Sequence, residues 1–212
     1  MPRITADTVA EHARQQEAAV FEAAVRLFTE HGVEKVSLAD IAAEVGLARN
    51  SIYRYFRDRN HLIVAWFDHE MAPLANACDQ IVEGGGPPLD QLDSWVQLHL
   101  SYLRVPGHRE MINAVASASD LSPETQAHIS VGHERVYRPL KQVLLSLRPD
   151  LGEGGADIDL LASLVAAMVG AGSTAEAQDE VAEGEASESR LEKSLLSAIH
   201  GAVTKFEPAE TN

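Results

Sequence analysis

The sequence predicts an all-α protein. Alanine is abundant, the period-two alternation of β-branched residues that marks strands is almost absent, and apolar residues recur at helical spacing along most of the chain. The 212 residues suffice for one sizeable core or for a small domain joined to a larger one. Hydrophobic residues at 45% and charged residues at 23% place the chain with globular rather than disordered proteins.

Residues 1–10 read as a loose arm. From about Glu11 to Glu30, Val20, Phe21, Ala24, Val25, Leu27 and Phe28 mark a first helix, and Gly32 supplies a left-handed stop. Ser37-Leu-Ala-Asp40 has capping-box spacing and opens a second helix with Leu38, Ile41, Ala42 and Val45 as its apolar stripe. Gly46 ends it. A short third helix is expected from about Arg49 to Tyr55, anchored by Ile52 and Phe56. A long helix follows over about Arg59–Val82, with Pro73 expected to kink or split it. Glu83-Gly-Gly-Gly-Pro-Pro88 is a linker. Further helices are predicted at about Leu89–Leu103, Arg109–Ser119, Pro123–Leu147, Asp157–Gly172 and Ser189–Phe206, with Gly152–Gly155 as a loop. Thr174–Ser189 carries six acidic residues and no basic one, and reads as a solvated loop.

Two short helices around a glycine turn, braced by a preceding helix, form a helix-turn-helix, whose second helix enters the major groove of DNA. The net charge of −15 argues against nucleic acid until its distribution is considered. Of 17 Lys/Arg and 32 Asp/Glu, residues 1–60 hold 8 and 9, which leaves 9 and 23 for the rest. Within Leu47–Arg59 the balance reverses, with Arg49, Arg54, Arg57 and Arg59 against Asp58 alone. A small basic face on an acidic body meets phosphate in one orientation only. The expected base-reading group is Ala48, Arg49, Asn50, Ser51 and Arg54, since Arg suits guanine and Asn suits adenine edges. Ser37, Tyr53, Tyr55 and Arg59 are expected to hold phosphates. Ile41, Val45, Ile52 and Phe56 are expected to be core residues that assemble the motif.

The run Ser37-Leu-Ala-Asp-Ile-Ala-Ala-Glu-Val-Gly-Leu-Ala-Arg-Asn-Ser-Ile-Tyr-Arg-Tyr-Phe56, with Arg59 and Leu62 beyond it and Ala23-Ala24-x-x-Leu27-Phe28-x-x-x-Gly32 before it, resembles the N-terminal domain of TetR/AcrR-family repressors. The resemblance covers roughly residues 17–63. Ala48 and Asn50 stand where Ser and Gly are common, and Arg59 and Asn60 where Lys and Glu are usual. It implies a DNA-binding domain over residues 1–58 and a helical effector-binding and dimerisation domain over 59–212. It also implies a homodimer on a palindromic double-stranded operator, and a small-molecule effector that releases it.

The C-terminal sequence accommodates these expectations. Leu160, Leu161, Leu164, Val165, Met168 and Val169 form one apolar face, and Leu191, Leu195, Leu196, Ile199 and Val203 another; both could serve a dimer or an internal core. Ala166, Ala167, Gly170 and Gly172 permit close helix packing. Candidate effector-lining residues are Trp66, Phe67, Trp95, His99, Tyr102, Met111, Tyr137 and Met168. The alternative is a metal-sensing regulator using His99, His108, His128 and His133, with Asp120, Glu124 and Cys78, although no two of these histidines stand four apart.

No enzyme motif is present: no P-loop, no Gly-x-Gly-x-x-Gly, no Gly-x-Ser-x-Gly and no His-Glu-x-x-His. The expectation is a non-enzyme with no cofactor and no metal. One cysteine excludes an intrachain disulfide. Residues 1–16 lack a basic-then-apolar leader, and Leu160–Gly172 is short for a bilayer span, so a cytoplasmic protein without membrane attachment is expected.

Overall fold

The computed structural model describes residues 6–105, 107–179 and 185–208, and the described residues are helical throughout, without a strand. The helices are α1 Ala6–His31, α2 Leu38–Glu44, α3 Arg49–Ile52, α4 Arg59–Glu83, α5 Pro88–Arg104, α6 His108–Ala116, α7 Pro123–Leu147, α8 Ala156–Asp179 and α9 Glu185–Lys205. Short 3-10 turns lie at Val33–Lys35 and Pro149–Leu151.

The chain forms two compact units: Met1–Asp68 with Pro106–Ile129, and His69–Val105 with Ser130–Asn212. The boundaries fall inside α4 and α7. In the first unit α1 buries Val20, Phe21, Ala24 and Phe28 on one face. Gly32 then donates its N–H to the Phe28 carbonyl at 2.9 Å, and Val33 and Val36 close the core beyond it. Leu38, Ile41 and Ala42 of α2 and Ile52 of α3 complete it. The Arg26 guanidinium pairs with Glu44 and ties α1 to α2. α6 also packs on α1. Gly107, at φ +88°, allows this approach: a Cβ there would lie 2.6 Å from Val25 Cγ1.

In the second unit α8 packs against α5 and α9. Trp95, Val96 and Leu100 of α5, Leu140 and Leu144 of α7, Leu161, Val165 and Val169 of α8, and Ile199 and Val203 of α9 form its core. Gly172 meets Leu195, whose Cδ2 would lie 2.6 Å from an added Cβ, so the small residue does permit close packing there. Polar ties join the same helices: His200 Nε2 lies 2.5 Å from Asp93, and Arg148 donates to the Val203 carbonyl at 2.8 Å.

Several boundaries differ from those read in the sequence. The N-terminal arm is shorter, because α1 begins at Ala6; residues 1–5 lie outside the described residues. Pro73 does not split α4 and sits exposed inside it. α3 ends at Ile52 rather than near Tyr55, because the N–H groups of Arg54 and Tyr55 bond three residues back, to Ser51 and Ile52, instead of four. The acidic run 174–189 is helical wherever it is described: α8 reaches Asp179 and α9 starts at Glu185, and residues 180–184 lie outside the described residues. Glu and Ala favour helix, and charge does not prevent it. Val45 is half-buried at the C-cap of α2 rather than in the core. α8 is also longer than the stretch read in the sequence, and Ala156–Thr174, at mean hydropathy 1.4, is long and apolar enough by composition to cross a membrane. One side of it is instead the packed face just described.

The α2 cap is as the sequence predicts. Asp40 N–H donates to Ser37 Oγ, and the Ser37 N–H and hydroxyl donate to Asp40 Oδ2 at 2.9 and 2.6 Å. These donors hold the Asp40 carboxyl below its usual range. A group with a depressed native pKa stabilises above its unfolded value and loses that contribution as pH falls through the native one. Ser37→Ala is expected to lower stability by about 1 kcal/mol in urea unfolding at neutral pH. The difference from wild type should shrink as the solution is acidified through the carboxylate range.

Candidate nucleic-acid interface

A four-residue helix cannot hold itself together, so α3 depends on its anchors. Ile52 and Phe56 are buried, and the Phe56 ring packs on Phe21 of α1 with centroids 5.9 Å apart. With these fixed inward, the opposite side of the segment faces out. Ala48, Arg49, Asn50 and Arg54 are exposed, and Ser51 is half-buried. Ala48 is the N-cap and offers no side-chain oxygen. Tyr53 is 46% exposed.

The predicted phosphate group divides. Ser37, Tyr53 and Arg59 line one open groove of about 330 Å³, together with Glu34, Lys35, Val36, Leu38, Arg57 and Asp58. Tyr55 lies apart, its hydroxyl donating to Gln16 Oε1 of α1 at 3.0 Å. Lys35 and Arg57 belong to the groove but were not assigned to the site from sequence. Their signal was basic character beside the α2 cap and beside Asp58. Asp58 caps the start of α4, accepting the His61 N–H at 2.8 Å, and this bond depresses its pKa.

Arg59 is more constrained than an ordinary surface cation. Its side chain is 20% exposed. Nη1 donates to the Glu34 carbonyl at 3.2 Å, Nη2 pairs with Asp120, and Nε is buried with no partner among the described residues. Glu34 is held in turn, its Oε1 accepting the Ser119 N–H at 3.2 Å. The segment between α6 and α7 is thereby fastened to the helix-turn-helix. These pairings span 61 and 85 positions, and no local pattern announces them.

The expected effector residues separate between the units. Trp66, Phe67 and Met111 are buried in the first, and the Trp66 ring stands edge-on to His108 at 6.4 Å. Trp95, His99, Tyr102, Tyr137 and Met168 belong to the second. His99 stacks on Trp95 at 3.6 Å, and Tyr137 lies 6.4 Å from Trp95. The histidines weighed as metal ligands serve different neighbours: His128 pairs with Asp68 at 2.7 Å, His133 lies beside Tyr137, and among the described residues no three metal-ligating side chains converge. Cys78 is buried, and desolvation pushes its thiol up to about 12.

The sequence model of the tetR family of bacterial regulatory proteins matches residues 20–66, the segment that builds this interface. This segment of the chain is similar to that family. The regulator TtgR of Pseudomonas putida is 40% identical over 58 residues, 27% of this chain and 28% of that protein. The nucleoid occlusion factor SlmA of Pasteurella multocida is 26% identical over 129 residues, 60% of this chain and 64% of that protein. The chain thus spans under two thirds of the length of these curated relatives. Solved structures of transcriptional regulators match nearly end to end in fold. FadR of Bacillus subtilis, in complex with stearoyl-CoA, superposes with a TM-score of 0.69 at 16% identity, covering 90% of this chain and 99% of that one. The TetR-family regulator PfmR of Thermus thermophilus gives 0.64 at 19%, covering 90% and 96%.

Removing the Arg59 carboxylate partner tests the fastening. Asp120→Ala is expected to lower the unfolding free energy by about 1 kcal/mol, as for a partly screened ion pair. Asp120→Asn, which retains an acceptor oxygen, should lose less. Equal midpoints for wild type and both variants in urea would show the pair to be idle.

Proposed function

We propose that this chain is a TetR-family regulator that binds DNA sequence-specifically, a repressor that releases a palindromic operator when its C-terminal domain binds a small molecule. The division proposed is residues 1–58 for DNA reading and 59–212 for effector binding and dimerisation, in a cytoplasmic protein without catalytic activity. The observation that carries this reading is the presentation of Arg49, Asn50 and Arg54 outward from a segment whose Ile52 and Phe56 are locked inward. Arg49 and Arg54 are placed for guanine O6 and N7, and Asn50 for adenine. Ser51 and Ala48 sit close enough to the same edge for small contacts. Ser37, Tyr53, Lys35, Arg57 and Arg59 flank them as phosphate contacts, with Tyr55 bracing α1.

A second copy of the chain supplies the second reading head that a palindrome requires. Support for the dimer comes from α8. Its Leu161, Val165 and Val169 are spent inside the second unit, while Leu160 and Leu164 remain 51% and 43% exposed in line with exposed Ala167 and Ala171. An apolar stripe left open on a helix of this hydropathy is suited to a partner helix. Regulation then needs only an effector that binds one spacing of the two heads better than the other.

A gel shift on DNA flanking the chain's own gene tests the reading. Wild type is expected to retard a discrete sequence, Arg49→Ala to lose about 1–3 kcal/mol with relaxed base preference, and Tyr53→Phe to weaken all sequences alike. If both variants bind as wild type does, α3 is not the reading helix. Leu160→Glu with Leu164→Glu is expected to convert the dimer to monomer in sedimentation; an unchanged mass would place the interface elsewhere.

A further inference from the structure

Trp95, His99 and Tyr102 fall on one face of α5, at spacings of four and three. Trp95 is fully buried and spends its indole N–H on the Val136 carbonyl of α7 at 3.3 Å. The His99 ring lies over that indole, 23° from parallel. His99 Nδ1 is 2.8 Å from the Trp95 carbonyl oxygen. A carbonyl only accepts, so Nδ1 carries the proton. Burial holds the ring neutral, with its pKa lowered to about 4. A neutral imidazole has one N–H, and here it is used, so Nε2 presents a lone pair. That atom is buried and has no partner among the described residues.

A buried acceptor without a donor is costly, and proteins satisfy such groups with a protein atom, a water or a ligand. We propose that His99 Nε2 is the recognition point for the effector, and that the effector is an uncharged, largely apolar molecule carrying one hydroxyl or N–H donor. This rests on the effector-responsive reading above. The surroundings set the class. The Trp95 ring stacked on His99, and the Tyr137 ring 6.4 Å from Trp95, make the neighbourhood apolar. Burial and the negative charge of Glu70 push the Tyr102 phenol well above its ordinary value, and the same field opposes an anionic ligand. A carboxylate or a thioester brings only acceptors to Nε2 and leaves the lone pair unmet.

The test uses the full-length protein and matched pairs that differ only in the donor: phenol with anisole, indole with 1-methylindole, and 1-octanol with methyl heptyl ether. Thermal melting reads binding. Nitrogen NMR of histidine-labelled protein reads the ring. In at least one pair the donor compound is expected to bind tenfold or more tightly than its capped twin and to shift the His99 Nε2 resonance. His99→Leu should abolish the discrimination, and His99→Gln, which restores an acceptor, should recover part of it. The proposal is overturned if no donor outbinds its twin, if the discrimination survives in His99→Leu, or if Nε2 is already bonded to an ordered water that no compound displaces. Operator release is scored separately by gel shift. Release by compounds indifferent to His99 overturns this site and leaves the regulator standing, whereas donor binding at His99 without any DNA retention overturns the regulator and leaves the site.

Discussion

Everything at the interface depends on burying Ile52 and Phe56. Four residues of helix gain too few backbone hydrogen bonds to offset the entropy of ordering them. α3 exists because Ile52 is sealed in the core and because Phe56 packs against Phe21. The helical twist then leaves no choice about the other side. With Ile52 inward, Asn50, two residues before it, falls on the opposite side, Arg49 at the start of the helix is exposed beside it, and the tightened backbone at Arg54 and Tyr55 sets where the next side chains emerge. Base-reading residues need no contacts of their own to be held in place. The apolar anchors position them, and their heads remain solvated until DNA arrives.

Arg59 carries a different constraint. A guanidinium four-fifths covered needs its charge answered, and Asp120 answers it while the Glu34 carbonyl takes a second N–H. Glu34 is occupied in turn by the Ser119 backbone. The segment 117–122 is therefore joined to the helix-turn-helix by two independent bonds, and α6 rests on α1 through the glycine at 107. A cation engaged in this way lines the groove without being free in it. Lys35, the Tyr53 hydroxyl and Arg57, whose Nε pairs with Asp58 at 3.0 Å, also line the groove and make the first contacts with phosphate in the proposed complex.

The features legible in the sequence were those whose chemistry is local. The Ser37–Asp40 box spans four residues and depends on little else, and the structure forms it as its spacing predicts. α7 could be delimited because Pro123 starts it and an apolar period sustains it. The polarity after Thr174 points to a loop, but Ala175, Glu176 and Ala177 are good helix formers and continue α8 to Asp179. Arg59 with Asp120 and Tyr55 with Gln16 join residues far apart in sequence, which no spacing rule reaches. The apolar residues Leu160 to Val169 looked like one face; the structure divides them into a packed row and an exposed one, a distinction that depends on where α5 and α9 lie.

The interior of the second unit has a chemical character distinct from its surface. Residues 61–212, which include that unit, hold 23 acidic groups against 9 basic ones. Inside, burial keeps the titratable groups neutral: the Cys78 thiol and the Tyr137 phenol are pushed up, and His99 is pushed down. An acidic exterior repels anions before they arrive, and a neutral interior penalises any ion that enters. What can gain there is apolar area with one well-placed polar atom. The polar atom the helix offers is an acceptor, because the Trp95 carbonyl has already taken the ring's only proton. The ligand class that suits the chain is thus set less by the shape of a cavity than by which nitrogen of one histidine the backbone leaves bare.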